Sequence, residues 1–264
     1  MRLAGLVVAD TLDAVRAAAV PGVTTAELDA IAADVIASAG AQPSFLGYHG
    51  YPAVLCVSVN DEVVHGIPGA RVLADGDVVS VDCGAIVDGW HGDAAFSAVV
   101  GQQADDGDVE LVATTQAAMW AGIAALAKGD RLSVVGDAVE DVVDLALAAG
   151  KNGGQRYGVV QEYVGHGIGS AMHQPPEVLN YRVRERGPRL KDGMCLAIEP
   201  MLTRGSRQTQ VLEDDWTVVT SDGSRAAHWE HTVAILAEGI WVLTARDGGA
   251  EALAARGVTV DALD

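Results

Sequence analysis

Between Val78 and Phe96 the chain reads VVSVDCGAIVDGWHGDAAF, two apolar, β-branched runs on either side of Asp88-Gly89. An Asp-Gly pair between such runs signals a tight β-hairpin, because both turn residues must take positive φ. Each strand then carries one acid where a half-buried strand normally carries an apolar or neutral residue: Asp82 and Asp93. A two-residue loop pairs position 84 with 93 and 82 with 95. Asp93 then lies diagonally across from Asp82 on the same face, roughly 7–8 Å away between backbones. Two acids so placed repel each other and resist burial, so a cation between them is the economical explanation. The plainer alternative is that one aspartate caps a turn while the other is solvated.

The rest of the composition narrows the class. At 264 residues, half of them apolar, the chain can build a sizeable core, and an ordered chain is expected. Its net charge is −19, from 36 acidic against 17 basic residues, which argues against direct binding to nucleic acid or an anionic membrane. Cys56, Cys83 and Cys195 are odd in number and widely spaced, so no zinc ribbon or disulfide framework follows. The amino terminus, with Asp10 and Asp13 inside its apolar stretch, reads as a helix rather than a signal peptide. No uncharged apolar run approaches bilayer-spanning length. A reducing, cytoplasmic location is expected.

Taken in order, Leu3–Ala19 has helical periodicity and stops at Pro21-Gly22. Thr24-x-x-Glu27 is a capping-box signature opening a second helix that ends at Gly40. After an aromatic, glycine-rich loop, residues 53–59 read as a strand, Asn60-Asp61 as a turn, and EVVHGIP as a short return strand ending on His65. Asp108–Ala127 and a segment opened by Ser133 and closed by Ala149-Gly150 repeat the plan of two helices with a hydroxyl cap between them. Strand-like segments follow at 158–164, 194–202 and 228–236. Helices then strands, twice over, favour an α+β fold in a single domain, with an internal repeat whose halves are roughly 1–101 and 102–245. The acidic, glycine- and alanine-rich tail, 246–264, reads as a surface appendage.

Three residues of the second half ask for the same explanation as the aspartates. GHGIG places His166 where glycines let the backbone crowd a ligand. Glu199 ends the apolar run GMCLAIEP, and Glu230 stands between Trp229 and the apolar run HTVAIL. A glutamate among such neighbours is costly unless paired, either to an arginine or to a metal. Two divalent cations balance four carboxylates, and oxygen-rich ligands with one histidine suit manganese, iron or cobalt better than structural zinc; zinc and nickel are further candidates.

The stretches GYHGYPAVLCVSVNDEVVHGIPG, VDCGAIVDGWHGD, GHGIGSAMHQPP, GMCLAIEPM and WEHTVAI, in that order from about Leu3 to Leu243, resemble the type I methionine aminopeptidases in their short bacterial form. The resemblance implies the pita-bread fold, with a central antiparallel sheet covered by helices and a pseudo-two-fold repeat. It implies a metalloprotease-type hydrolase, a single catalytic domain over 1–264, that removes the N-terminal methionine of nascent chains and favours a small second residue. By the same resemblance Asp82 holds one metal, Asp93 and Glu230 bridge two, and His166 and Glu199 complete the second. Glu199 also shuttles the proton, His65 contacts the scissile amide, and His173 hydrogen-bonds the carbonyl oxygen as charge develops. Tyr48, Tyr51, Cys56 and Trp216, with Phe45 and Met172 nearby, map onto the methionine pocket, whose soft, aromatic-edged character suits a thioether. Phe45 and Met172 stand where related enzymes often have Cys and Phe. Nascent polypeptide N-termini are the implied partners, with transient ribosome association.

Two other readings compete. A proline-directed peptidase of the same fold, such as aminopeptidase P or prolidase, usually carries a separate N-terminal domain for which this chain has no room. A metal-free binding module of the same fold would have lost ligand positions, and all five are filled here.

Overall fold

The computed structural model describes residues 1–261. The first helical pair, α1 (Arg2–Ala18) and α2 (Thr25–Ser38), precedes β1 (Gln42–Pro43), β2 (Leu55–Val59), β3 (Glu62–Val64) and the long hairpin β4 (Val78–Val87) and β5 (Trp90–Val99). A second pair, α3 (Asp106–Leu126) and α4 (Val134–Ala148), precedes β6 (Gly158–Val159), β7 (Gly165–Gly167), β8 (Gln174–Val178), β9 (Cys195–Ile198) and β10 (Met201–Thr203). Then come β11 (Thr209–Val211), β12 (Val218–Thr220), β13 (Ala226–His228), β14 (Glu230–Leu236), β15 (Gly239–Val242) and the short α5 (Ala250–Ala254).

The main sheet has nine strands in the order β1-β4-β5-β14-β9-β7-β8, with β2 on β4 and β15 on β14, and every pairing in it is antiparallel. The β4–β5 hairpin has the register expected from its turn: Gly84 pairs with Asp93 and Asp82 with Ala95. Asp88 (φ 50°) and Gly89 (φ 78°) are both left-handed, as a two-residue turn matching the strand twist requires. Strand alternation sorts β4 by chemistry. Val79, Val81, Cys83 and Ala85 enter the main core with Val8 and Leu12 of α1, while Asp82 points to the opposite side. Gly92 admits α1 closely, since a Cβ there would come within 3.0 Å of the Gly5 backbone.

The Thr24–Glu27 capping box forms as read: Glu27 N–H donates to Thr24 Oγ1 at 3.2 Å and Thr24 N–H to Glu27 Oε2 at 2.8 Å. Its counterpart does not. Ser133 makes no side-chain cap, because the chain already turns helically there (φ −59°, ψ −17°) through i→i+3 bonds from Val134 and Val135. The chain does turn back beside β2, where Val57 N–H donates to the Gly66 carbonyl at 2.8 Å, but β3 itself ladders with β12 in a separate three-stranded sheet and stops at Val64, one residue short of His65. His65 takes φ 61°, a left-handed conformation that ends the strand. The tail is likewise not an appendage over its described part: Leu253 and Val258 are buried in the main core. Residues 262–264 of that tail lie outside the described residues. Helix α3 is long and apolar enough by length and composition to cross a membrane. Here its Leu111, Met119, Ile123 and Leu126 are buried in the core that α4 and the sheet share.

Candidate metal centre and substrate slot

Five neighbouring strands carry the acids and the imidazole. Asp82 lies on β4, Asp93 on β5, Glu230 opens β14, Glu199 follows β9 by one residue, and His166 is the middle of β7. Ala95 pairs with Asp82 on one side and with Glu230 on the other. A row Asp82–Ala95–Glu230 therefore crosses three strands, with Asp93 two residues along on the same face. The methyl group at the middle of the row leaves open volume between the carboxylates.

Asp93, His166, Glu199 and Glu230 are all buried. One ligand atom each of Asp93, His166 and Glu230 lies within 4.8 Å of the others, an arrangement that suits a cation. His166 Nε2 stands 3.4 Å from Glu199 Oε1, while Asp82 adjoins Asp93 at the other edge. The backbones are pinned. Asp93 N–H donates to Thr232 Oγ1 (3.1 Å), whose hydroxyl donates back to the Asp93 carbonyl (2.7 Å). Asn180 Nδ2 donates to the Glu199 carbonyl at 3.1 Å. His166 Nδ1 lies 2.9 Å from the Gly167 carbonyl oxygen. A carbonyl only accepts, so the proton sits on Nδ1 and the Nε2 lone pair faces the acids, the tautomer a metal ligand needs.

Electrostatics point the same way. Burial, first, and then Glu230 and Asp82 push the Asp93 carboxyl well above the usual carboxylate range. Burial followed by the neighbouring acids does the same to Glu199 and Glu230, and burial raises Asp82 to about 7. Among the described residues no lysine or arginine lines this pocket. Asp82 Oδ1, Asp93 Oδ1 and Glu230 Oε1 are buried with no hydrogen-bond partner among the described residues. Orphaned oxygens of this kind are strongly destabilising unless a cation satisfies them. The donor set fits hard or borderline divalent ions.

Every candidate metal-ligating, catalytic and pocket residue of the sequence analysis borders the same cavity, of about 120 Å³. Above the acids stands a slot. Phe45, Tyr51, Cys56 and Met172 are buried and packed together, with Tyr48 and Trp216 against them. Gly84 makes the slot accessible to Phe45: a Cβ there would lie 2.7 Å from Ser44 Cβ and 2.9 Å from the Phe45 ring. The Tyr51 hydroxyl is 3.0 Å from the carbonyl oxygens of both Leu55 and Gly66, and its ring meets Trp216 edge-on at 5.0 Å. Burial drives the Tyr51 and Cys56 pKa values up, so both stay neutral and the slot walls carry no charge.

Two histidines flank the junction of slot and acids. His173 stacks edge-on against His166 at 4.3 Å, and its Nδ1 is 2.8 Å from the Tyr48 hydroxyl. His65 is wedged between Tyr163, at 5.5 Å, and Trp216, at 6.2 Å; burial lowers its pKa to about 4. The cavity also includes Val64 and His228, which the sequence reading passed over. The signal for His228 was its place two residues before Glu230, since residues i and i+2 of an extended segment share a face.

A pocket of unpaired acids with one metal-ready imidazole, built across an antiparallel sheet backed by helices, defines a divalent-metal protein. Residues 1–237 match metallopeptidase family M24, and the chain belongs to that family. It is 54% identical over 245 residues to methionine aminopeptidase 1 of Mycobacterium tuberculosis, covering 92% of this chain and 91% of that one. It is 39% identical to the Escherichia coli methionine aminopeptidase over 93% of this chain and 90% of the other. The crystal structure of methionine aminopeptidase from Thermotoga maritima superposes with a TM-score of 0.86 at 40% identity, covering 92% and 94% of the two chains. Prolidase from Pyrococcus furiosus, at 18% identity and a TM-score of 0.70, shares the fold over 62% of its length. The fold is the pita-bread fold.

Proposed function

We propose that this protein is a methionyl aminopeptidase that removes the first methionine from nascent polypeptides, with two divalent ions held by Asp82, Asp93, His166, Glu199 and Glu230. The observation that carries the reading is the convergence of these five ligand-type residues at the foot of an uncharged, sulfur- and aromatic-lined slot. When bound, the ions supply Lewis-acid polarisation of the scissile carbonyl and lower the pKa of water.

The chain's own groups do the rest. The slot between Phe45, Tyr51, Cys56, Met172 and Trp216 takes the methionine side chain, and its polarizable edges suit a thioether. That fixes the scissile carbonyl over the acids. Glu199 receives the proton of the attacking water and passes it to the leaving amine. His173, oriented through Tyr48, hydrogen-bonds the carbonyl oxygen as negative charge grows. His65, whose backbone is held in a left-handed conformation, meets the scissile amide. The floor and the His65 loop leave little room beyond the bond, so Gly, Ala or Ser is favoured as second residue. Manganese, iron or cobalt suits the oxygen-rich donors best. The protein works in the cytoplasm, and any encounter with the ribosome is transient, because a net charge of −19 is repelled by RNA.

The test removes metal by chelation and restores manganese, iron, cobalt, zinc and nickel one at a time, with Met-Ala-Ser, Ala-Ala-Ser and X-Pro peptides as substrates. Activity should vanish with the metal and return on Met-Ala-Ser first. Full activity of demonstrably metal-free protein, or preference for X-Pro peptides, overturns the reading.

A further inference from the structure

His228 has no place in the chemistry described so far, yet it is 2% exposed and borders the cavity. It closes β13, and its backbone is clamped to β5 from both sides. Ser97 Oγ donates to the His228 carbonyl at 2.8 Å and accepts from the His228 N–H at 2.8 Å. Ser97 is in turn held by Ser80 at 2.7 Å. The imidazole therefore cannot swing away without disturbing two strands of the main sheet. Its Nε2 is buried and has no hydrogen-bond partner among the described residues, a costly arrangement for a nitrogen that could have been replaced by carbon.

What that nitrogen faces is Glu199. The two oxygens of this carboxylate each look at an imidazole: Oε1 at His166 Nε2, 3.4 Å away, and Oε2 at His228 Nε2, 3.9 Å away. The two nitrogens are not equivalent. His166 gives its proton to the Gly167 carbonyl through Nδ1, so its Nε2 offers a lone pair. An ionised carboxylate only accepts, so the tautomer of His228 that satisfies both groups carries its proton on Nε2. The gap at Oε2 is a few tenths of an ångström beyond a hydrogen bond, and a small rotation of the Glu199 carboxylate closes it.

We propose that His228 is a positioning residue: its Nε2–H holds Oε2 of Glu199, which keeps Oε1 on the His166 side, where these two residues would together hold an ion. The proposal rests on the metallopeptidase reading. Ligating carboxylates are commonly held by such an outer partner, and losing one costs about 10–100-fold in metal affinity or activity. His228 thus sets both the affinity of the ion at the His166–Glu199 side and the orientation of the oxygen that moves the proton.

The experiment compares the parent protein with His228→Leu and His228→Gln. Cobalt(II) binding is followed by calorimetry and by the visible absorption of the bound ion, and kcat and KM are measured with Met-Ala-Ser. In the parent two ions should bind. In His228→Leu one of them should bind at least about tenfold more weakly, with kcat reduced by a similar factor and KM changed far less. In His228→Gln, whose amide N–H reaches toward the same oxygen, most of both losses should be recovered. Should the leucine variant not fold, His228→Ser, polar but too short to reach Glu199, takes its place with the same losses expected. A leucine or serine variant that binds cobalt and turns over like the parent overturns the proposal, as does a glutamine variant as impaired as the leucine one. A parent that binds no divalent ion overturns the metallopeptidase reading, and this inference with it.

Discussion

The floor and the slot of the cavity are built in opposite ways. The floor residues sit on or next to laddered strands of one sheet, β4, β5, β14, β9 and β7, with backbones clamped by Thr232, Asn180 and Ser97. Among the described residues, one oxygen each of Asp82, Asp93 and Glu230 has no hydrogen-bond partner. The slot residues come largely from connections: Phe45, Tyr48 and Tyr51 from the 44–54 loop, Met172 from the turn before β8, and Trp216 from the turn before β12, with Cys56 alone inside a strand. Their hydroxyls are satisfied: that of Tyr51 lies 3.0 Å from two carbonyl oxygens and that of Tyr48 lies 2.8 Å from His173 Nδ1. The difference teaches where energy is stored. A metal floor needs charges held against their own repulsion, which only a rigid ladder provides. A specificity slot needs shape, which loops on a rigid scaffold supply.

The sharpest way to break that division is Asp93→Asn. The amide removes one charge at the centre of the floor, and its N–H donors point where an ion belongs. Turnover should fall by well over about 100-fold, beyond the range of outer-partner losses, and metal content after dialysis should drop at one site. Selectivity of the residual activity for methionine should persist, because the slot is untouched. Elemental analysis and a peptide panel check both halves.

Trp216→Ala does the reverse. It removes the ring that faces both Tyr51 and His65, so kcat/KM for Met-first peptides should drop about 10–100-fold, as apolar pockets allow. Cobalt affinity should stay within about threefold, because the proposed ligands of the floor sit on a separate framework. A large loss of metal in this variant would show that floor and slot are one unit.

The smallest effect is on stability. In metal-free protein the floor carboxyls titrate above their unfolded values, Asp82 at about 7 and the others higher than usual. Such groups contribute stability that is present below about pH 4 and lost as pH rises through the folded values. The buried imidazoles His65, His166 and His231, each near 4, and His228, near 3, work the other way. Their contribution appears above about pH 6.5 and is lost as pH falls toward the folded values. Below about pH 6.5 the two sets oppose each other; above it only the carboxyls still titrate. The melting temperature of metal-free protein should therefore fall between about pH 6.5 and 8, by roughly 2–4 °C for each kcal/mol lost in a domain this size. Divalent ion should abolish the fall. A flat profile without metal would mean that the floor is not electrostatically loaded.

Much of this was legible in the chain itself. The Asp88-Gly89 turn fixed the β4–β5 register, and with it the shared face of Asp82 and Asp93, because a two-residue loop allows one pairing only. The Thr24 capping box and the helical periodicities are equally local, so they needed no partner to be read. Ser133 failed for a tertiary reason: the 131–134 turn, docked through backbone bonds to Arg186 and Pro188, sets the entry angle and leaves its hydroxyl unused. Tertiary structure alone decided that residues ordered 82, 93, 166, 199, 230 along the chain stand as 82, 93, 230, 199, 166 across the sheet. It decided too that β3 ladders with β12 rather than with β2, that Leu253 and Val258 dock into the core, and that His228 faces Glu199. Antiparallel pairing between strands more than thirty residues apart follows from which faces bury together, and no local pattern encodes that. The chain determined the chemistry of the site; the order of the strands made that chemistry converge.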